Sequence, residues 1–157
     1  MDAIEVRQLL RSDIQHLEEF DDVVFAREVI RDRSVVKILA EIGDTPVGYL
    51  IADKDSICIE LAHICVHPDY RMRGVGRKLI DDLSLSVGGD VGIECMIDAE
   101  DYEVMKFFTS CGFSVVRDVN FLGSDWKILR HGWRTDISDD LKYRGVSEDG
   151  PMPQPED

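Results

Sequence analysis

Several absences narrow the class of this 157-residue chain before any motif is read. It has no apolar run near the roughly 20 residues that a membrane-spanning helix needs. Its opening, MDAIEVRQLL, is acidic early and lacks the apolar core of a secretory signal. Cations are scarce: 18 Lys and Arg stand against 32 Asp and Glu, a formal net charge of −14. That balance argues against nucleic acid as a partner and weakly favours cationic substrates. The four cysteines, Cys58, Cys65, Cys95 and Cys111, include no C-x-x-C pair and no zinc-like spacing with histidine. They read as reduced core thiols of a cytoplasmic protein. The expectation is a soluble protein with no metal, no membrane partner and no nucleic-acid partner.

What is present suits one domain. Apolar residues make up 44%, enough for a core, and the length leaves little room for a second domain. The last stretch, 136–157, holds seven acids and two bases and ends SEDGPMPQPED, so it reads as a disordered tail behind a domain spanning 1–135. IEVRQL alternates as a strand. SDIQHLEEF predicts a helix capped by Ser12, with Ile14, Leu17 and Phe20 on one face. DDVVFAREVIRD predicts a second helix. SVVKILAEI and PVGYLIAD, joined by GDTP, predict a hairpin. SICIELAHICV is nearly all apolar, as central strands covered on both faces are. VGRKLIDDLSLSV has Val75, Leu79, Leu83 and Val87 on one helical face, and Gly88 and Gly89 end it. VGIECMI is a strand, DYEVMKFFTSC a helix stopped by Gly112, and FSVVRDV and DWKILR are strands. The pattern predicts a mixed α/β domain with one sheet and helices on both faces.

The scarce cations cluster in HPDYRMRGVGRKL, where Arg71, Arg73, Arg77 and Lys78 surround two glycines. The stretch joins a buried strand to an amphipathic helix. A helix N-terminus offers unpaired N–H groups and partial positive charge, and glycines let successive N–H groups point into one concavity. That concavity fits a phosphate or pyrophosphate. It is neither a Walker loop nor the dinucleotide G-x-G-x-x-G, since position 79 is Leu. The plainer alternative is a turn beside solvated cations.

ICVHPDYRMRGVGRKLIDDL resembles motif A of the GNAT superfamily of acetyl-CoA-dependent N-acetyltransferases, whose signature is [QR]-x-x-G-x-[GA]; Arg71 to Gly76 match it. FFTSCGF, 107–113, is similar to a second element of that family, and the resemblance spans about 3–132. It implies a largely antiparallel central sheet of about seven strands and acetyl-CoA as cofactor. By the same resemblance the pyrophosphate would lie on the backbone of Met72, Arg73, Gly74, Val75 and Gly76, with Arg71 and Arg77 beside them. The pantetheine arm would pair with the strand 60–66 at Ile64, Cys65 and Val66, and would reach Phe108.

Transfer to an amine requires a base, a stabilised carbonyl oxygen and a leaving thiolate. Glu60 is the first candidate base, a lone carboxylate in an apolar strand; the alternative is a carboxylate paired with a surface cation. Alternation puts Glu60, Ala62 and Ile64 on one face and His63 on the other, where a core histidine is the plainer reading. Glu94, alone in GIECMI, is the second candidate. The resemblance implies an N–H near Cys65 or Val66 for the oxyanion. It also implies a Tyr as acid where this chain has Phe108, a ring with no proton to give. Two readings follow: an N-acetyltransferase acting by direct attack of a primary amine (protein N-terminus, lysine or small molecule), or a non-catalytic acyl-CoA-binding regulatory module. A homodimer through the last strands is open as well.

Overall fold

A computed structural model describes residues 3–17, 20, 30–54, 58–88 and 91–132. The helix expected over 21–32 lies mostly outside these residues, and the tail over 136–157 lies wholly outside them.

Seven strands form one sheet: β1 (Ile4–Gln8), β2 (Val35–Ile42), β3 (Thr45–Asp53), β4 (Ile59–Val66), β5 (Ile93–Asp98), β6 (Ser114–Phe121) and β7 (Ser124–His131). Their spatial order is β1-β2-β3-β4-β5-β7-β6. Every neighbouring pair is antiparallel except β4 and β5. The expected largely antiparallel sheet is therefore present. A parallel pair needs a crossover, and here α1 (Val75–Val87) supplies it. A second helix, α2 (Tyr102–Ser110), links β5 to β6.

The early helix expected from Ser12 onward is instead a 3-10 segment, Arg11–Leu17. Asp13 explains the difference. Its carboxylate accepts from the Leu10 N–H at 2.7 Å and from both terminal nitrogens of Arg7 at 2.8 Å. A side chain drawn back onto β1 competes with regular helix hydrogen bonding. The same Arg7 hydrogen bonds hold the Asp13 carboxyl below its usual pKa, against the opposing effect of burial.

Two cores sandwich the sheet. On one face α1 and α2 cover Leu50, Ala52, Ile59, Leu61, Ile93 and Leu129, burying Leu79, Leu83 and Phe108. On the other, Leu9, Leu17 and Phe20 cover Leu39, Tyr49, Ile51 and Cys65. Glycine at position 48 lets α1 approach β3: a Cβ there would stand 2.8 Å from Val75 Cγ1 and 3.1 Å from the Cys65 carbonyl.

The β3–β4 register slips by one residue, pairing Ile51 with His63 but Ala52 with Leu61. Ala62 is the extra residue, and it is exposed. Such a bulge reverses the facing of everything beyond it. Ile59 and Leu61 pack on the helix side, and so do Ile64 and Val66, while Cys65 joins the opposite core. The expected grouping of Glu60 with Ala62 and Ile64 is thus corrected: Glu60 and His63 share the face opposite the helices, and Ile64 does not.

Because backbone atoms crowd position 48, Gly48→Ala is expected to destabilise the fold by about 1–3 kcal/mol in urea unfolding, the usual range for overpacking. An unchanged midpoint would contradict the close α1–β3 approach.

Candidate active site

Pairing between β4 and β5 is confined to Ile59 with Ile93 and Glu60 with Glu94. Beyond Glu60 the strands part, and the β4 backbone from Leu61 to Val66 faces the opening with no β5 partner. Buried backbone polar groups require partners, so this edge can accept an extended ligand as an added strand. Ile64, Cys65 and Val66, the expected pantetheine contacts, lie on it.

At the far end of β4 the chain turns through a short 3-10 segment, Pro68–Tyr70, capped by His67, whose Nδ1 accepts the Asp69 N–H at 3.1 Å. The loop then opens α1. Met72 and Gly74 both have left-handed backbones, φ 64° and 85°, a combination that gathers successive N–H groups into a concavity. The first bond into the helix runs from Lys78 N to Gly74 O at 3.0 Å. Among the described residues no backbone bond takes up the N–H groups of Met72 to Arg77, as the first turn of a helix requires.

The surrounding cations are held in different ways. Arg71 donates from Nε to the Val66 carbonyl at 3.0 Å. The Arg73 guanidinium lies 5.1 Å from the Tyr70 ring centroid, and Lys78 pairs with Asp82 one turn on at 3.1 Å. Arg77 donates to the Ser110 carbonyl, tying the start of α1 to the end of α2. Gly76 completes that junction, since a Cβ there would stand 2.7 Å from Phe107 Cζ. An extended edge leading to an N–H cradle rimmed with arginine fits a long ligand bearing a pyrophosphate.

The sequence of the chain and this geometry agree with what is known of related proteins. A profile described as acetyltransferase (GNAT) domain matches residues 34–115. The chain belongs to this family. It is an acetyltransferase, and the acyl donor is acetyl-CoA. Solved structures share the fold. A protein described as a streptothricin acetyltransferase from Bacillus anthracis, in complex with acetyl coenzyme A, is 17% identical with a TM-score of 0.72, covering 84% of this chain and 99% of its own. The ribosomal-protein-S18-alanine N-acetyltransferase of Escherichia coli is 16% identical at TM-score 0.65, covering 82% and 93%. A spermidine/spermine N-acetyltransferase of Vibrio cholerae is 17% identical at 0.63, covering 81% and 91%.

Within this acetyltransferase the two candidate acids adjoin on β4 and β5 but differ in setting. Glu60 is half-buried where the strands part. Glu94 is buried and bound to Arg130: Nε makes an aligned hydrogen bond at 3.0 Å, and Nη2 lies 2.9 Å from the same oxygen, the side chains being 8% and 7% exposed. Arg130 escaped the sequence reading because its partner lies 36 positions away.

Phe108 is buried, and its role at the end of α2 is visible. Phe113 N–H bonds to the Phe108 carbonyl and Gly112 N–H to the Thr109 carbonyl, both at 3.0 Å, with Gly112 at φ 98°. This is a Schellman ending, which commonly brings an apolar contact between the residues here numbered 108 and 113; their rings are 5.0 Å apart. Asp101 caps the start of α2 by accepting from Val104 N–H at 3.1 Å, and Tyr102 is exposed. Burial raises the thiol pKa of Cys111, and raises that of Cys95 further, so neither is readily ionised as a nucleophile.

Arg130→Met would strand a buried carboxylate, and a loss of about 3–5 kcal/mol is expected in urea unfolding. A loss under about 1 kcal/mol would show that the pair carries little stability at this site.

Proposed function

We propose that the chain acetylates a primary amine (a protein N-terminus, a lysine or a small amine) by direct attack within a ternary complex. The observation that carries this reading is the half-buried carboxylate of Glu60, at the point where β4 and β5 part and on the edge that leads to the N–H loop. Acetyl-CoA, when bound, supplies a thioester carbonyl and a thiolate leaving group. The N–H groups of Met72 to Gly76 hold its pyrophosphate, with Arg71, Arg73 and Arg77 adding charge. Ile64, Cys65 and Val66 align the pantetheine arm through the backbone, and a β4 N–H near Cys65 or Val66 meets the carbonyl oxygen.

Glu60 serves as the base, directly or through water, and Glu94 has the structural task of holding Arg130. The raised thiol pKa values at Cys95 and Cys111 favour direct attack over an acyl-enzyme route. A charge of −14 favours a cationic acceptor, and the relatives acting on alanine of a ribosomal protein and on spermidine or spermine suit that class. Four buried cysteines, none in a disulfide, suit a reducing compartment, in keeping with a cytoplasmic site.

Incubation with acetyl-CoA and a panel of peptides, polyamines, aminoglycosides and amino acids is expected to release free thiol and add acetyl mass to one class. Silence across the panel would contradict the reading. Glu60→Gln is expected to lower kcat about 10²-fold or more, the range of a positioned base, with acetyl-CoA affinity retained; full activity would remove Glu60 from the chemistry.

A thiol of pKa about 8.5 departs without much assistance near neutral pH, so the absent acid at position 108 slows the step rather than abolishing it. Phe108→Tyr is accordingly expected to raise kcat by about 10²-fold, the lower end of the range of a general acid. An unchanged kcat would show that thiolate departure does not limit the rate.

A further inference from the structure

The bulge at Ala62 has a chemical consequence on the face opposite the helices. It turns His63 onto the face that Glu60 occupies. Bulges commonly re-aim side chains beside active sites. The re-aimed ring is also held. Tyr49, fully buried on β3, places its Oη 3.1 Å from His63 Nε2, with the two rings 5.3 Å apart. Phe20 backs Tyr49 at 5.5 Å. A histidine with one nitrogen against a buried partner has its ring plane set. His63 also lies on the part of β4 that has no β5 partner, between Glu60 and Cys65.

Resting on the reading above, we propose that His63, oriented by Tyr49, is a second proton acceptor for the amine, working beside Glu60. The nitrogen must give up two protons, one before the C–N bond forms and one after it. Glu60 takes the first. His63 takes the second at Nδ1 while its Nε2–H donates to Tyr49 Oη. The C–S bond breaks with its electron pair left on sulfur, and the thiolate takes one proton from solvent. Glu60 and His63 return theirs to solvent, for a net release of one proton. On the helix side, Phe108 cannot exchange a proton.

Other titratable or charged groups face this region. Among the described residues they include His67, whose ring packs on Phe20, Asp53 on β3, Cys65 on β4, Lys37 on β2, whose Nζ binds the Asp32 carbonyl, Asp13 paired with Arg7, the exposed His16, and the Glu94–Arg130 pair beyond Glu60. A pH profile must therefore be assigned by variant and not by shape alone.

The test is the pH dependence of kcat/KM for the wild type, His63→Gln and Tyr49→Phe, using the amine that the panel identifies, with acetyl-CoA affinity measured in parallel. The wild type is expected to lose activity on the acid side as the His63 ring is protonated. His63→Gln is expected to lose about 10²-fold in kcat together with that acid limb, at unchanged acetyl-CoA affinity. Tyr49→Phe is expected to keep the limb but displace it. A His63→Gln enzyme with the wild-type limb and turnover would overturn the proposal. Should that variant fail to fold, the His63 ring titration by NMR in the wild type decides: agreement with the kinetic limb supports the role, and disagreement overturns it. Absence of turnover by the wild type with every amine would overturn the underlying reading first, and the proposal with it.

Discussion

Parallel pairing between β4 and β5 lasts for two residue pairs and stops at Glu60 and Glu94. Most of the site follows from that interruption. A sheet that parts inside a folded domain leaves strand backbone needing partners, and here the exposed edge runs from Leu61 to Val66 straight toward the start of α1. The gap stays open because its walls are packed from behind. The α1 helix sits against β3 across Gly48, and α2 is held to α1 through Gly76, Phe107 and Arg77. The wedge is a property of the core, so a donor bound along β4 as proposed would meet a preformed slot. Binding energy need not be spent ordering it.

The same parting sets the electrostatics. The register places Asp53, Glu60 and Glu94 as successive Cα partners across three strands. Like charges so arranged repel, and Arg130 offsets one of them from β7. At the other end of β4 the sign reverses, with arginines and open N–H groups gathered where a pyrophosphate would lie. On the proposed reading, the basic end of this strongly acidic chain serves an anionic donor and the acidic region a cationic acceptor.

Much of this was readable from residue order. The strands from β1 to β7, the span of α1 and the loop at 71–76 follow from apolar periodicity and from glycine placement, both of which are local. What escaped was long-range. Nothing in ICIELAHICV marks Ala62 as a bulge, because no glycine or proline signals it; the slip is set by how β3 and β4 meet, and it reversed the facing of Ile64 and His63. Asp13 converts an expected helix into a 3-10 segment through an arginine on β1. Glu94 reads as a lone acid until the sheet brings Arg130 beside it. Phe108 was the instructive case. Its spacing from Gly112 and Phe113 carries the signature of a helix ending, so its packing task is as legible as its lack of a hydroxyl.

Central to the proposed function is a donor lying along the β4 edge with its pyrophosphate on the loop. Backbone amide NMR during an acetyl-CoA titration tests this directly. The amide signals of Ile64 to Val66 and of Met72 to Gly76 should shift most, with those of the loop moving downfield as their N–H groups acquire charged acceptors. Saturable shifts confined to other segments, with these two left in place, would contradict it.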